Sequence, residues 1–124
     1  MKSILCVALG GAIGSLLRYA VGVWLKPEPS LAFPIHTLVV NIMGCLVIGF
    51  VFSFLLAIPS DQYYRLFIIT GILGGFTTFS SFGLESFYLI QQKEFFKAFG
   101  YIALSNILGL VAVWVGYSFH KLIV

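Results

Sequence analysis

Several polar side chains of this chain stand inside apolar runs, where a group with nothing to bind is costly. Arg18 follows Leu16-Leu17 and Asn41 follows Leu38-Val39-Val40. The stretch Gly71-Ile72-Leu73-Gly74-Gly75-Phe76-Thr77-Thr78-Phe79-Ser80-Ser81-Phe82-Gly83 sets four hydroxyls and a pair of adjacent glycines among phenylalanines. The chemistry such groups perform is ion recognition rather than bond making. A guanidinium facing water concentrates small anions. Amide and hydroxyl hydrogens donate to an anion, and the positive edge of an aromatic ring replaces part of its hydration shell. Backbone carbonyls freed from a helix can hold a cation. With four acidic residues and two histidines in the whole chain, catalytic acids, bases and metal ligands are too few to favour an enzyme.

The elements that must position these groups are membrane helices. Charged residues make up 9% of the 124 positions and hydrophobic ones 60%, against about 25% charged in an ordinary soluble domain. The fold class expected is therefore an all-α integral membrane protein. Apolar runs over 3–25, 36–58, 64–90 and 95–119 are each long enough for a transmembrane helix, which needs about 20 residues. They leave room for short loops only, so 1–124 reads as a single membrane domain. Between the runs, Lys26-Pro27-Glu28-Pro29-Ser30, Pro59-Ser60-Asp61-Gln62 and Gln91-Gln92-Lys93-Glu94 collect breakers and charges, which suits a chain of consecutive helical hairpins. Lys2 before an apolar stretch also suits a secretory signal, but Arg18 interrupts the stretch and no clean small-x-small cleavage site follows. The net charge of +3 comes from scattered Lys and Arg, which argues against nucleic acid, whose binders cluster them. Cys6 and Cys45 lie in apolar runs and read as small hydrophobes.

The loop charges bear on orientation. Four spans put both termini on one side, with Lys2, Arg65 and Lys121, and leave Lys26, Lys93 and Lys97 on the other. The positive-inside rule has nothing to choose between. Either charge positions or the first helix alone set a weak bias, or copies insert both ways and pair as an antiparallel dual-topology homodimer.

Each polar position has two readings. Arg18 is seven residues from Leu25, or roughly 10 Å along a helix. It either snorkels to the interface or faces a water-filled vestibule. Gly10 and Gly14 form a G-x-x-x-G pair that permits close helix approach. Asn41, followed by Gly44 and Gly49, is interhelical glue, an anion donor or both. Thr77 is the midpoint of 64–90, and the glycines and hydroxyls around it weaken helix propensity. A third helix broken near the bilayer midplane is expected, because loose backbone at that depth must be buried in protein or line a cavity. Phe79 and Phe82, three residues apart, share a helical face and serve as core packing or as an aromatic pore lining. Tyr101, Ser105 and Gly109 recur every four residues with Asn106 beside them, a stripe that suits helix packing or pore lining. Glu85, the carboxylate clearly inside a run, is interfacial, gating or proton-linked.

The third-span motif at 74–82, with Gly11 to Arg18-Tyr19 upstream and Thr37-Leu38-Val39-Val40-Asn41 between, resembles the small bacterial fluoride channels of the Fluc (CrcB) family. The likeness covers all four spans. It implies a fluoride-selective channel for passive efflux from the cytoplasm, protecting against fluoride toxicity. It further implies a multi-pass protein of the bacterial inner membrane, an antiparallel homodimer with two pores, and a structural sodium ion (Na+) at the dimer centre. By motif position, Asn41, Phe79, Phe82, Ser80, Ser81, Tyr101 and Ser105 would form the fluoride pore and polar track. Arg18 would lie at the vestibule, and Glu85 would match the acidic residue after the motif. Backbone carbonyls of Gly74 and Thr77 would hold the sodium. Gly83 departs from the hydroxyl residue expected there. The physics is compatible: a small, strongly hydrated anion needs several donors in place of water, and no nucleotide motif is visible.

Two other classes fit four spans. A small proton-driven multidrug exporter would rely on a first-span carboxylate, and this chain has Arg18 there. A non-conducting assembly subunit would use every polar residue as helix glue.

Overall fold

The computed structural model describes residues 1–25, 33–57 and 61–123. Loop expectations for Lys26-Pro27-Glu28-Pro29-Ser30 and for Pro59-Ser60 lie outside the described residues. Among the described residues, four helical spans are long and apolar enough to cross a membrane: Lys2–Trp24, Ile35–Leu56, Gln62–Gln91 and Phe95–Phe119.

The first two are continuous helices, α1 (Lys2–Trp24) and α2 (Ile35–Ala57). The third is composite. It opens with α3 (Gln62–Arg65), whose first turn is capped by Asp61 accepting the Tyr63 N–H. A π-helical segment, Leu66–Leu73, follows, and α4 (Gly74–Phe76) continues it. Thr77 (φ −79°, ψ 160°) and Thr78 (φ −149°, ψ 117°) are extended, and helix resumes as α5 (Phe79–Gln91). Helix α5 ends in a Schellman-type turn: Glu94 N–H bonds the Leu89 carbonyl, Lys93 N–H bonds Ile90, and Lys93 takes the left-handed conformation with φ 62°. The last helix, α6 (Phe95–Ile123), runs past the expected end at 119. There Lys121 Nζ lies 4.7 Å from the Tyr117 ring centroid, one turn back, which suits a helix leaving the apolar zone.

The principal packing joins alternate spans, not consecutive ones: α1 lies on the π-helical segment and α4, and α2 lies on α6. This differs from the arrangement of consecutive hairpins expected from the sequence, and glycines explain it. A Cβ on Gly10 would collide with the Phe67 carbonyl, one on Gly14 with the Ile72 carbonyl, and one on Gly75 with the Gly11 carbonyl at 2.6 Å. In the other pair, Gly49 meets the Val113 carbonyl and Gly116 the Leu46 carbonyl. Bare backbones approach closely where side chains would hold them apart, and dispersion over that contact stands in for the hydrophobic drive absent in lipid.

Only a thin interior is buried. Tyr101, Val40 and Thr37 are the largest fully buried side chains, and Tyr101, Leu89 and Ala98 form a cluster flanked by Phe33, Leu38 and Phe82. Leu16, Trp24, Leu84, Leu110 and Trp114 are exposed, an apolar exterior of the kind lipid solvates.

Candidate functional site

The site is built around the extended step Thr77–Thr78. A helix continuing through it would give the Thr78 N–H to the Gly74 carbonyl. Instead the Thr78 N–H donates to Asn41 Oδ1 at 2.9 Å, while Asn41 Nδ2 donates to the Thr78 carbonyl at 3.0 Å. The amide on α2 thus satisfies both backbone groups of one residue, and among the described residues its second Nδ2 hydrogen has no partner. Arg18 on α1 turns inward and donates from Nη1 to the Thr77 carbonyl at 3.3 Å. Of its two readings, snorkelling to the helix end is therefore not the one the geometry shows. Thr77 itself closes back on α4, its N–H and Oγ1 both donating to the Leu73 carbonyl at 3.0 and 2.9 Å.

Thr78 then caps α5. Its Oγ1 accepts the Ser81 N–H at 3.2 Å, donates to Ser81 Oγ at 3.0 Å, and lies 3.3 Å from Ser80 Oγ. The step has cavities on both sides, and Thr78 lines each. One, of about 290 Å³, is bounded by Asn41, Gly44, Ile69, Gly74, Thr77 and Phe79. The other, of about 350 Å³, is bounded by Arg18, Tyr19, His36, Thr37, Thr78 and Ser81. The Arg18 guanidinium and the start of α5 both bring positive potential to this second cavity.

The aromatic residues form a ladder. Phe79 and Phe82 centroids are 5.6 Å apart, Phe82 and Tyr101 5.2 Å, and Phe33 meets Tyr101 edge-on at 5.5 Å. Phe79 is 84% exposed, whereas Phe82 is half-buried against the Tyr101 cluster. The two rings share a face, but of the pair Phe79 alone stands exposed.

Glu85, one turn after Ser81 on α5, is half-buried and held from two other helices. Thr37 Oγ1 donates to Oε1 at 2.7 Å and Tyr101 OH donates to Oε2 at 2.7 Å, while His36 Nε2 lies 3.5 Å from Oε1. One turn along α6 from Tyr101, Ser105 Oγ is buried with no hydrogen-bond partner among the described residues. Further along the same stripe, Gly109 faces Cys45, so that end is packing. Asn106 is exposed and bonds its own helix at the Ile102 carbonyl, 2.7 Å away.

The sequence-derived residues therefore fall into two groups joined through α5. Arg18, Asn41, Thr77, Ser80 and Ser81 surround the step, and Glu85 and Tyr101 meet Thr37, with Phe82 packed on Tyr101. Phe79 and Gly74 are at the exposed side of the step. Sequence reasoning assigned no role to Thr78, Thr37 or His36. The spacing of Thr37 from Asn41, four residues and hence one face of α2, was the available signal.

A family model described as "CrcB-like protein, Camphor Resistance (CrcB)" matches residues 5–117. The chain is 43% identical over 122 residues to a protein of Chloroflexus aurantiacus, covering 98% of this chain and 97% of that one. It is 44% identical over 122 residues to one of Flavobacterium psychrophilum, covering 98% of each. It is 44% identical over 119 residues to one of Helicobacter pylori strain P12, covering 94% and 92%. All three relatives carry the name fluoride-specific ion channel FluC. Four membrane-length helices, the site they enclose and near-complete coverage of both chains in each comparison agree, and this multi-pass membrane protein belongs to the CrcB family.

Proposed function

We propose that this chain is a fluoride-selective ion channel through which fluoride leaves the cytoplasm passively, protecting the cell against fluoride toxicity. The observation that carries the reading is the similarity of 43–44% to proteins named fluoride-specific ion channel FluC over nearly the whole of both chains. The site geometry supports it. Fluoride is small and strongly hydrated, so a path must offer donors in succession without binding it too tightly to leave. Arg18 would gather the anion in the vestibule. Ser80, Ser81, the free Asn41 hydrogen, the edges of Phe79 and Phe82, and the hydroxyls of Tyr101 and Ser105 would replace its water. Because hydrogen fluoride is a weak acid, it crosses into a cell neutral and ionises inside, and the trapped anion then needs only a path outward.

The working unit in this reading is an antiparallel homodimer in the bacterial inner membrane, with two pores and the interrupted third span near the bilayer midplane. The exposed ring of Phe79 and the open side of the step at Gly74 are what a second copy would cover. A sodium ion at the dimer centre fits the donor set. Gly74 is exposed and its carbonyl lacks the Thr78 N–H, and Thr77, three residues further on, presents a carbonyl with one lone pair taken by Arg18. Hard cations take such oxygens. When bound, the ion would supply a fixed positive charge beside the step.

Purified protein in liposomes tests the reading. Fluoride efflux that is driven by membrane potential and needs no proton gradient to drive it is expected. Drug–proton exchange would mark an exporter, and silence would mark a non-conducting subunit.

A further inference from the structure

We propose that His36 is a charge-determining residue of the vestibule, whose protonation raises the rate at which anions enter from that cavity. The inference rests on the channel reading above and deepens it. His36 stands in the first turn of α2 with a half-exposed ring, and lines the same 350 Å³ cavity as Arg18, Thr78 and Ser81. Imidazole is the side chain that changes charge between about pH 5 and 8. A second positive charge beside Arg18 would deepen the potential that draws small anions toward the start of α5.

The hydrogen bonds let this happen without dismantling the site. Thr37 Oγ1 has one hydrogen, and Glu85 Oε1 at 2.7 Å takes it. His36 Nε2, at 3.1 Å from the same Thr37 oxygen and 3.5 Å from Glu85 Oε1, is then best placed as an N–H donor to both. The neutral ring carries its proton on Nε2, and the added proton goes to Nδ1, which makes no hydrogen bond with the described residues. Protonation therefore adds charge while Thr37, Glu85 and Tyr101 keep their bonds. It also sets a cation against Glu85, the anion that would otherwise repel fluoride from this end of the path.

Every charged or titratable group facing His36 among the described residues enters the balance. From α1 these are Arg18, a fixed cation, and Tyr19; from α5, Glu85; and from α6, Tyr101, which reaches His36 through Glu85 and Thr37. Among this chain's own side chains Arg18 and Glu85 offset one another in charge, and protonated His36 adds one positive charge to the vestibule. The consequence has physiological sense: hydrogen fluoride accumulates in cells under acid, so export would quicken under the condition that creates the load.

The test is potential-driven fluoride efflux from liposomes of zwitterionic lipid, with the same pH on both faces and the leak of protein-free vesicles subtracted. Wild-type protein should carry fluoride about threefold faster or more near pH 5.5 than near pH 8 at low ionic strength, and the ratio should shrink in high salt, which screens charge. His36→Gln should show one rate at both pH values. His36→Arg, with a permanent charge, should keep the faster rate at both. A flat wild-type profile overturns the proposal, as does a His36→Gln or His36→Arg profile that follows the wild type. If the wild type carries no fluoride at either pH, the channel reading itself fails and this inference falls with it.

Discussion

Asn41 shows how one side chain can stand in for two helical hydrogen bonds. Its amide satisfies both the N–H and the carbonyl of Thr78, so truncation orphans two backbone groups at once. Asn41→Ala should lower stability by about 1–3 kcal/mol, read as an earlier thermal transition in detergent. Asn41→Asp keeps an acceptor for the Thr78 N–H but sets a carboxylate against the Thr78 carbonyl, and in the proposed channel its charge should cut fluoride flux further than the alanine does. The two phenylalanines separate by burial. Phe82 packs on Tyr101 at 5.2 Å and Phe79 is 84% exposed. Phe82→Ile should therefore lose about 0.5–1.5 kcal/mol of aromatic contact, whereas Phe79→Ile should leave the protomer's melting temperature nearly unmoved. In the proposed channel both should reduce fluoride efflux while the proposed dimer still forms on size-exclusion chromatography; loss of assembly in each would reduce them to packing residues.

At the scale of elements, the glycines are not interchangeable. Gly10 and Gly14 were readable as a close-approach pair from their spacing alone, and they do meet the backbone of the third span. Which span they would meet was not readable, since spacing defines a face and not its partner. Gly14→Ala should destabilise the fold by about 1–3 kcal/mol through overpacking against the Ile72 carbonyl. Gly100, whose Cβ would have nothing within 4 Å, should behave oppositely, with Ala there stabilising α6 by up to about 1 kcal/mol. Thermal melts of the two variants side by side check the contrast, and equal effects would mean the glycine contacts do not hold α1 in place. The π-helical segment Leu66–Leu73 had no warning in the sequence. Apart from Thr70 and Gly71 its residues are ordinary apolar ones, and a hydrogen-bond shift from four to five residues leaves no compositional mark.

For the whole molecule, the question is how copies sit in the membrane. Lys2, Arg65 and Lys121 balance Lys26, Lys93 and Lys97 across the four spans, so reporters fused to either terminus should read both sides of the membrane in comparable shares. Adding Gln91→Lys and Gln92→Lys should drive most copies into one orientation and reduce fluoride resistance in cells, because antiparallel partners would become scarce. A single orientation in the unaltered protein would remove the antiparallel pairing from the proposal.

Span number, the approximate limits of each span and the positions of Arg18, Asn41 and Thr77 within the apolar runs were all legible in the sequence alone, because hydrophobic length and helical spacing are local properties that need no partner. The motif at 74–82 likewise identified the family. What only the tertiary structure decided are the pairings between residues far apart in the chain: Arg18 with Thr77, 59 positions away, Asn41 with Thr78, 37 away, and Thr37 with Glu85, 48 away. Each needed two helices to approach at one height and rotation, and that approach is set by which glycine faces meet. A polar residue in an apolar run announces that it must be satisfied, but the group that satisfies it is chosen by packing.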